Sequence, residues 1–257
     1  MKASSIPKHE NSFQTSGIDS QGKKHILKPT SVPINGESLA LNYTECRLEN
    51  NDESYFYKDL VGKEKIVLHF TAGYLKGDIG TLTSPNNHVS VPFVIARSGE
   101  IFNLWSSKFW SYHLGPGSVG GNSLMSKKTI AIEISNIGYL KNIGDQLYTV
   151  YSDTDAYCSL SEVEYYTQIQ EGFRGQTYFA TFTNEQYNSI INLLRYLTAR
   201  YNIPRTFLSE DKRYGVLSTT EATSFKGIVS HINFRPKGKW DIGQAFDWDR
   251  VINGLKG

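Results

Sequence analysis

Six histidines punctuate the chain, and two of them close apolar runs: His69 follows Ile66-Val67-Leu68, and His231 follows Ile228-Val229-Ser230. Asp241 lies ten residues beyond His231, in Lys239-Trp240-Asp241. Two imidazoles and a carboxylate are ligands for a divalent cation such as zinc, and three protein ligands leave a tetrahedral position open for water. A strand end suits this work, because the sheet fixes the backbone and the loop beyond leaves room for substrate. A histidine in that position is more often a hydrogen-bonded structural residue, so these residues alone leave both readings open.

The elements that would position them can be read from periodicity. Lys65–Phe70 predicts a strand with a sharp exit at Thr71-Ala72-Gly73. Val91–Ala96 and Glu100–Leu104 predict a hairpin around Arg97-Ser98-Gly99. Pro92 removes a ladder donor, so the start of this hairpin reads as an edge or a bulge. From Thr129 to Ser135 the pattern alternates, with Ile130, Ile132 and Ile134 on one face and Glu133 on the other. Thr183 and Gln186 have capping-box spacing, and Tyr187, Ile190, Ile191, Leu194, Leu197 and Tyr201 follow at helical intervals. A short strand, Gly227 to His231, comes later. Together these predict an α/β domain with a single central mixed β-sheet flanked by helices.

Composition narrows the function classes. Of 257 residues, 39% are hydrophobic and 20% charged, which suits a globular core. Lys plus Arg number 27 against 25 Asp plus Glu, so the net charge of +2 gives nucleic acid no basic face to bind. No run approaches the roughly 20 apolar residues of a membrane span. The start, MKASSIPKHENSF, has no apolar core of the kind a secretory signal carries. Cys46 and Cys158 could form one disulfide or stay as buried thiols; with no CxxC pair, a thiolate metal site is not expected. Residues 1–40 are rich in Ser, Lys, Gly and Pro and read as a flexible or extended N-terminal segment, with His9 and His25 solvated in it. The catalytic domain would then span 41–257.

Several segments, taken together, resemble the zinc amidase family that includes bacterial muramoyl-alanine amidases, phage lysozyme-type amidases and animal peptidoglycan-recognition proteins. They are Val67-Leu68-His69-Phe70-Thr71-Ala72-Gly73, Phe93 to Phe102, Tyr112-His113-Leu114-Gly115, and Ile130 to Ile134. A closing segment runs from Ile228-Val229-Ser230-His231 through Pro236, Lys239 and Asp241 to Phe246-Asp247-Trp248.

The resemblance implies three zinc ligands, His69, His231 and Asp241, around a catalytic Zn²⁺. It implies Glu133 as general base and Lys239 as the cation facing the oxyanion, against plainer readings as an ion-paired edge residue and a solvated lysine. It implies His113 as a substrate-binding residue of the groove, with a structural hydrogen bond as the alternative. Where some relatives carry tyrosine, or a small residue and then histidine, this chain has Val91 and Pro92, so a tyrosine-assisted mechanism is not expected. Ile242 replaces the usual proline after the aspartate.

The activity implied is hydrolysis of the amide between N-acetylmuramic acid and L-alanine, with peptidoglycan or muropeptides as partners. The site of action would be the bacterial cell wall, periplasmic or extracellular, whether in endolysin-like lysis or in remodelling. The alternatives are a recognition module without catalysis and a hydrolase of another peptidoglycan amide. An aromatic-rich insertion, about 137–182, carries Tyr139, Tyr148, Tyr151, Tyr157, Tyr165, Tyr166 and Tyr178. It is expected either to fill its own small core or to face substrate.

Overall fold

The computed structural model describes residues 1–256. Helix α1 (Ile6–Ser16) precedes an antiparallel pair, β1 (His25–Pro33) and β2 (Ala40–Leu48). Then come β3 (Lys65–Phe70), α2 (Leu75–Leu82), the hairpin β4 (Phe93–Ile95) and β5 (Ile101–Asn103), α3 (Asn122–Lys128) and β6 (Thr129–Ile134). The insertion supplies β7 (Tyr139–Ile143), β8 (Gln146–Thr149), β9 (Ala156–Ser159), β10 (Tyr166–Phe173) and β11 (Gln176–Ala180). The chain returns through α4 (Asn184–Tyr201), the short α5 (Glu210–Arg213) and α6 (Thr219–Ser224), β12 (Gly227–Ser230) and α7 (Trp248–Lys256).

Seven strands form the central mixed sheet in the order β1-β2-β5-β4-β6-β3-β12. Strands β4, β6, β3 and β12 run parallel and are buried on both faces, which is why they read as continuous apolar runs. On one face Ile66, Leu68, Ile130, Ile132 and Ile134 pack against Tyr187, Ile190 and Leu194 of α4 and Val251 and Leu255 of α7. On the other, Val94, Phe102 and Ala131 meet Leu75 and Ile79 of α2. The long helix starts where the sequence places it, because Thr183 and Gln186 satisfy each other's backbone donors in a capping box.

Three expectations change. Residues 1–40 are built into the fold. Phe13 of α1 is fully buried and meets Phe102 edge-on at 5.4 Å, and the buried Glu10 accepts from Arg97 N and Ser98 N, closing the β4–β5 turn. α1 carries few apolar side chains, so its periodicity is faint; the burial of Phe13 and Glu10 fixes it instead. His25 is likewise buried rather than solvated, its Nε2 2.9 Å from Asp19 and its Nδ1 3.6 Å from the Cys46 thiol. Third, β4 lies inside the sheet, not at an edge; Pro92 is harmless because the strand begins after it and its carbonyl accepts from Leu104 N.

The insertion is a second, antiparallel sheet in the order β10-β11-β7-β8-β9. Its inner side joins Leu140, Leu147, Tyr157 and Cys158 to Ala3 and Ile6, so the N-terminal segment lies between the two sheets' cores. Both cysteines are free and buried in separate clusters. At the outer edge of the main sheet, Pro29 and Pro33 of β1 pair in register with Thr44 and Ala40. Truncating Phe13→Ala should cost about 3–5 kcal/mol, the usual loss for a buried aromatic. Urea unfolding measures it, and a loss below about 1 kcal/mol would mean that α1 merely rests on the domain.

Candidate metal centre

Parallel strands deliver three of the expected site side chains to one end of the sheet. His69 and Glu133 are direct neighbours across β3 and β6, and His231 opens the short turn that follows β12. Asp241 is tied to that turn through the hydrogen bond from Ile232 N to its carbonyl, 2.8 Å. The result is a buried cluster, with His69 Nδ1 2.9 Å from His231 Nδ1 and Asp241 Oδ2 2.8 Å from His231 Nδ1 and 3.3 Å from His69 Nδ1.

The hydrogen-bond network fixes which nitrogens carry protons. Thr129 Oγ1 donates to the Met125 carbonyl at 2.8 Å, so it must accept from His113 Nε2 at 2.7 Å. A neutral His113 then has only a lone pair at Nδ1, which accepts from His69 Nε2 at 3.0 Å. His69 Nδ1 is thereby left bare. His231 Nε2 donates to the Leu114 carbonyl at 3.0 Å, so in a neutral His231 Nδ1 is bare too. With both imidazoles neutral, two nitrogen lone pairs and a carboxylate oxygen converge, a donor set that could hold a metal ion. The donor set and the outward hydrogen bonds are those of a divalent metal site of the zinc kind. Burial, then His231, pushes His69 down to about 4, against the pull of Asp241.

Glu133 stands beside this cluster, Oε1 4.0 Å from His69 Nδ1, while its buried Oε2 has no partner. Burial, with Asp241 and Asp78 nearby, raises its pKa well above the ordinary carboxylate value, opposed by Lys239. It lines both arms of a cleft. One, about 420 Å³, has Thr71, Asp78 and Thr81 beside Tyr74 and Leu82. The other, about 300 Å³, is aromatic and basic, with Tyr139, Trp240 and Lys239, and includes Asp241. Tyr151 from the insertion crosses between the arms and donates to the Ala72 carbonyl.

His113 lines neither arm; it stands behind His69 with both nitrogens used by protein groups. No local signal in the sequence reveals Thr129 or the Leu114 carbonyl, whose partners lie 16 and 117 residues away. The Asp19–His25–Cys46 group has the residue types of a nucleophilic triad. Yet all three are sealed in the core, and burial pushes the thiol up to about 12, so it is structural.

Residues 62–244 match the family described as N-acetylmuramoyl-L-alanine amidase. A curated relative is the N-acetylmuramoyl-L-alanine amidase AmiD of Escherichia coli (strain K12), 22% identical over 191 residues, 72% of this chain and 51% of the relative. The chain thus spans about half the length of that relative. Among solved structures, the complex of Escherichia coli AmiD with the substrate anhydro-N-acetylmuramic acid-L-Ala-D-gamma-Glu-L-Lys superposes with a TM-score of 0.49 at 18% identity, covering 86% of this chain and 65% of that one. AmpDH3 from Pseudomonas aeruginosa gives 0.47 at 18% identity, covering 77% and 61%.

The proton assignment makes a direct test possible. Thr129→Val removes the acceptor that fixes His113, and hence His69, in one tautomer. Affinity for a divalent cation, measured by competition with a chromophoric chelator, should fall about 10-fold or more. Unchanged affinity would show that the relay does not set the ligand.

Proposed function

Because the chain belongs to the N-acetylmuramoyl-L-alanine amidase family, we propose that it hydrolyses the amide between N-acetylmuramic acid and L-alanine of peptidoglycan, with zinc held by His69, His231 and Asp241. The observation that carries this reading is the convergence of two bare imidazole nitrogens and a carboxylate beside an unpartnered glutamate in a cleft. Bound there, zinc would polarise the amide carbonyl and bring the pKa of water down to about 7.

The protein's own groups supply the rest. Glu133 faces the cluster with a free Oε2. A raised pKa suits a group that must take a proton from water and hand it to the leaving nitrogen. Lys239, in the aromatic arm, supplies the positive charge for the oxygen on which negative charge develops. The two arms on either side of Glu133 suit a substrate that extends both ways from the scissile bond, glycan one way and stem peptide the other. Thr129 and His113 hold His69 in the ligating tautomer. On this reading the protein acts at the bacterial cell wall, on peptidoglycan or on muropeptides released from it.

Mass spectrometry of digested peptidoglycan tests the bond assignment. Free stem peptides beginning with L-Ala are expected; cut stem peptides still attached to glycan would mean a different amide, and intact material with bound protein would mean recognition without cleavage. His69→Ala, His231→Ala and Asp241→Ala should each lose stoichiometric zinc and turnover, and a variant that kept both would remove that residue from the ligand set.

Glu133→Gln and Lys239→Ala should separate chemistry from metal binding. Each should retain zinc and fold, with kcat lower by about 10²-fold, the usual loss for a general base or an oxyanion donor. For Lys239→Ala a change confined to KM would instead make the lysine a substrate-binding group.

A further inference from the structure

Lys239 and Asp241 sit in an irregular stretch, since residues 234–247 form neither helix nor strand. Something outside the stretch must hold it still. The insertion does so through the tip of its β10–β11 hairpin. The two turn residues, Arg174 (φ 50) and Gly175 (φ 80), are both left-handed. A two-residue turn of this kind favours Asn-Gly, so an arginine in the first position is unusual and points to a use for the side chain.

That use is visible. Arg174 Nη1 donates to the Lys239 carbonyl at 2.6 Å, and the indole of Trp240 donates back to the Arg174 carbonyl at 3.1 Å. Phe173 lies against Gly243, so closely that a Cβ there would come within 2.4 Å of its ring. From β7, Tyr139 packs on the Trp240 ring at 4.6 Å. These contacts grip the chain on both sides of Asp241, while Phe173 and Phe179 also cover Ile232, next to His231.

We propose that Arg174 is a positioning residue, and that the hairpin tip of the inserted sheet clamps residues 239–243 so that Lys239 and Asp241 are held at the metal centre. The inference rests on the roles given above to Lys239 and Asp241. It adds a third task to the two expected of the insertion, its own small core and a wall of the cleft: it is a brace for the centre.

The test uses the full chain with Arg174→Ala, Arg174→Lys and Trp240→Phe. Alanine keeps a Cβ at the left-handed position and deletes the guanidinium together with the stem that carries it. Lysine can still donate to the Lys239 carbonyl. Trp240→Phe keeps a ring against Tyr139 and removes the N–H.

For Arg174→Ala, zinc affinity by chelator competition and kcat on a muropeptide should each fall about 10-fold, with KM within about twofold, as for the loss of a group that orients a ligand. Hydrogen exchange of the metal-free protein should quicken in residues 236–245 and stay unchanged in β7 to β9. Arg174→Lys should recover most of the loss. Unchanged affinity and kcat in Arg174→Ala would overturn the proposal. So would exchange quickened throughout the inserted sheet with no recovery in Arg174→Lys, which would make the arginine a general stabiliser. Should Arg174→Ala fail to fold, Trp240→Phe decides: weakened zinc binding supports the clamp, and wild-type affinity overturns it. Zinc affinity also separates this inference from the amidase reading. A parent that releases no stem peptide, with a variant that still loses zinc affinity, would sink the activity and leave the clamp standing.

Discussion

Three electron-rich atoms held within 3.3 Å of one another and away from water are the constraint around which this molecule is arranged. Left to themselves, two imidazole lone pairs and a carboxylate repel, and burying them uncompensated is costly. The fold holds them together with rigid parts. Parallel strands fix His69 and Glu133 side by side, a turn after the neighbouring strand presents His231, and a hydrogen bond from Ile232 ties Asp241 to that turn. Protons are then drawn outward, through His113 to Thr129 on one side and to the Leu114 carbonyl on the other. The inward nitrogens are thus left facing the Asp241 carboxylate, a group that could hold a metal ion.

Much of this was legible because buried parallel strands write themselves as apolar runs. Ile66-Val67-Leu68, the isoleucines of β6 and Ile228-Val229 needed no partner information to be read, and the capping box at Thr183 was equally local. Of the residues that the structure brings together, His69 and His231 stood at these strand ends, and Asp241 followed ten residues after His231. The N-terminal helix was not legible. Ile6 and Phe13 are its large buried apolar side chains, and its other anchor is the buried carboxylate of Glu10, a residue that normally marks a solvated face. The inserted sheet hid for a related reason: its strands are short and half exposed, so their alternation is weak. The relay through Thr129 and the grip of Arg174 depend on partners distant in sequence, which no pattern along the chain can show.

The additions to the central sheet also divide the labour. The N-terminal segment stiffens the β4–β5 turn through Glu10 and packs into the inner side of the second sheet through Ala3 and Ile6. The second sheet in turn reaches the irregular stretch that carries Lys239 and Asp241. Two segments that take no part in forming the parallel core are therefore linked through it to the same end of the sheet. Rigidity there matters, because a ligand or donor displaced by about 1 Å can cost a site much of its rate.

The prolines of β1 have a consequence for how these molecules behave among themselves. A bare sheet edge is a template on which another chain can add a strand. Pro29 and Pro33 sit in an unbroken ladder with β2, so their missing N–H groups fall on the outward side, and His25 N on that border is already given to the Gly17 carbonyl. At the far edge Ile228 of β12 is covered by a bridge to Phe207. Crowded onto a surface, such molecules would have no continuous row of donors through which to stitch into fibres, and the sheet ends where one chain ends it.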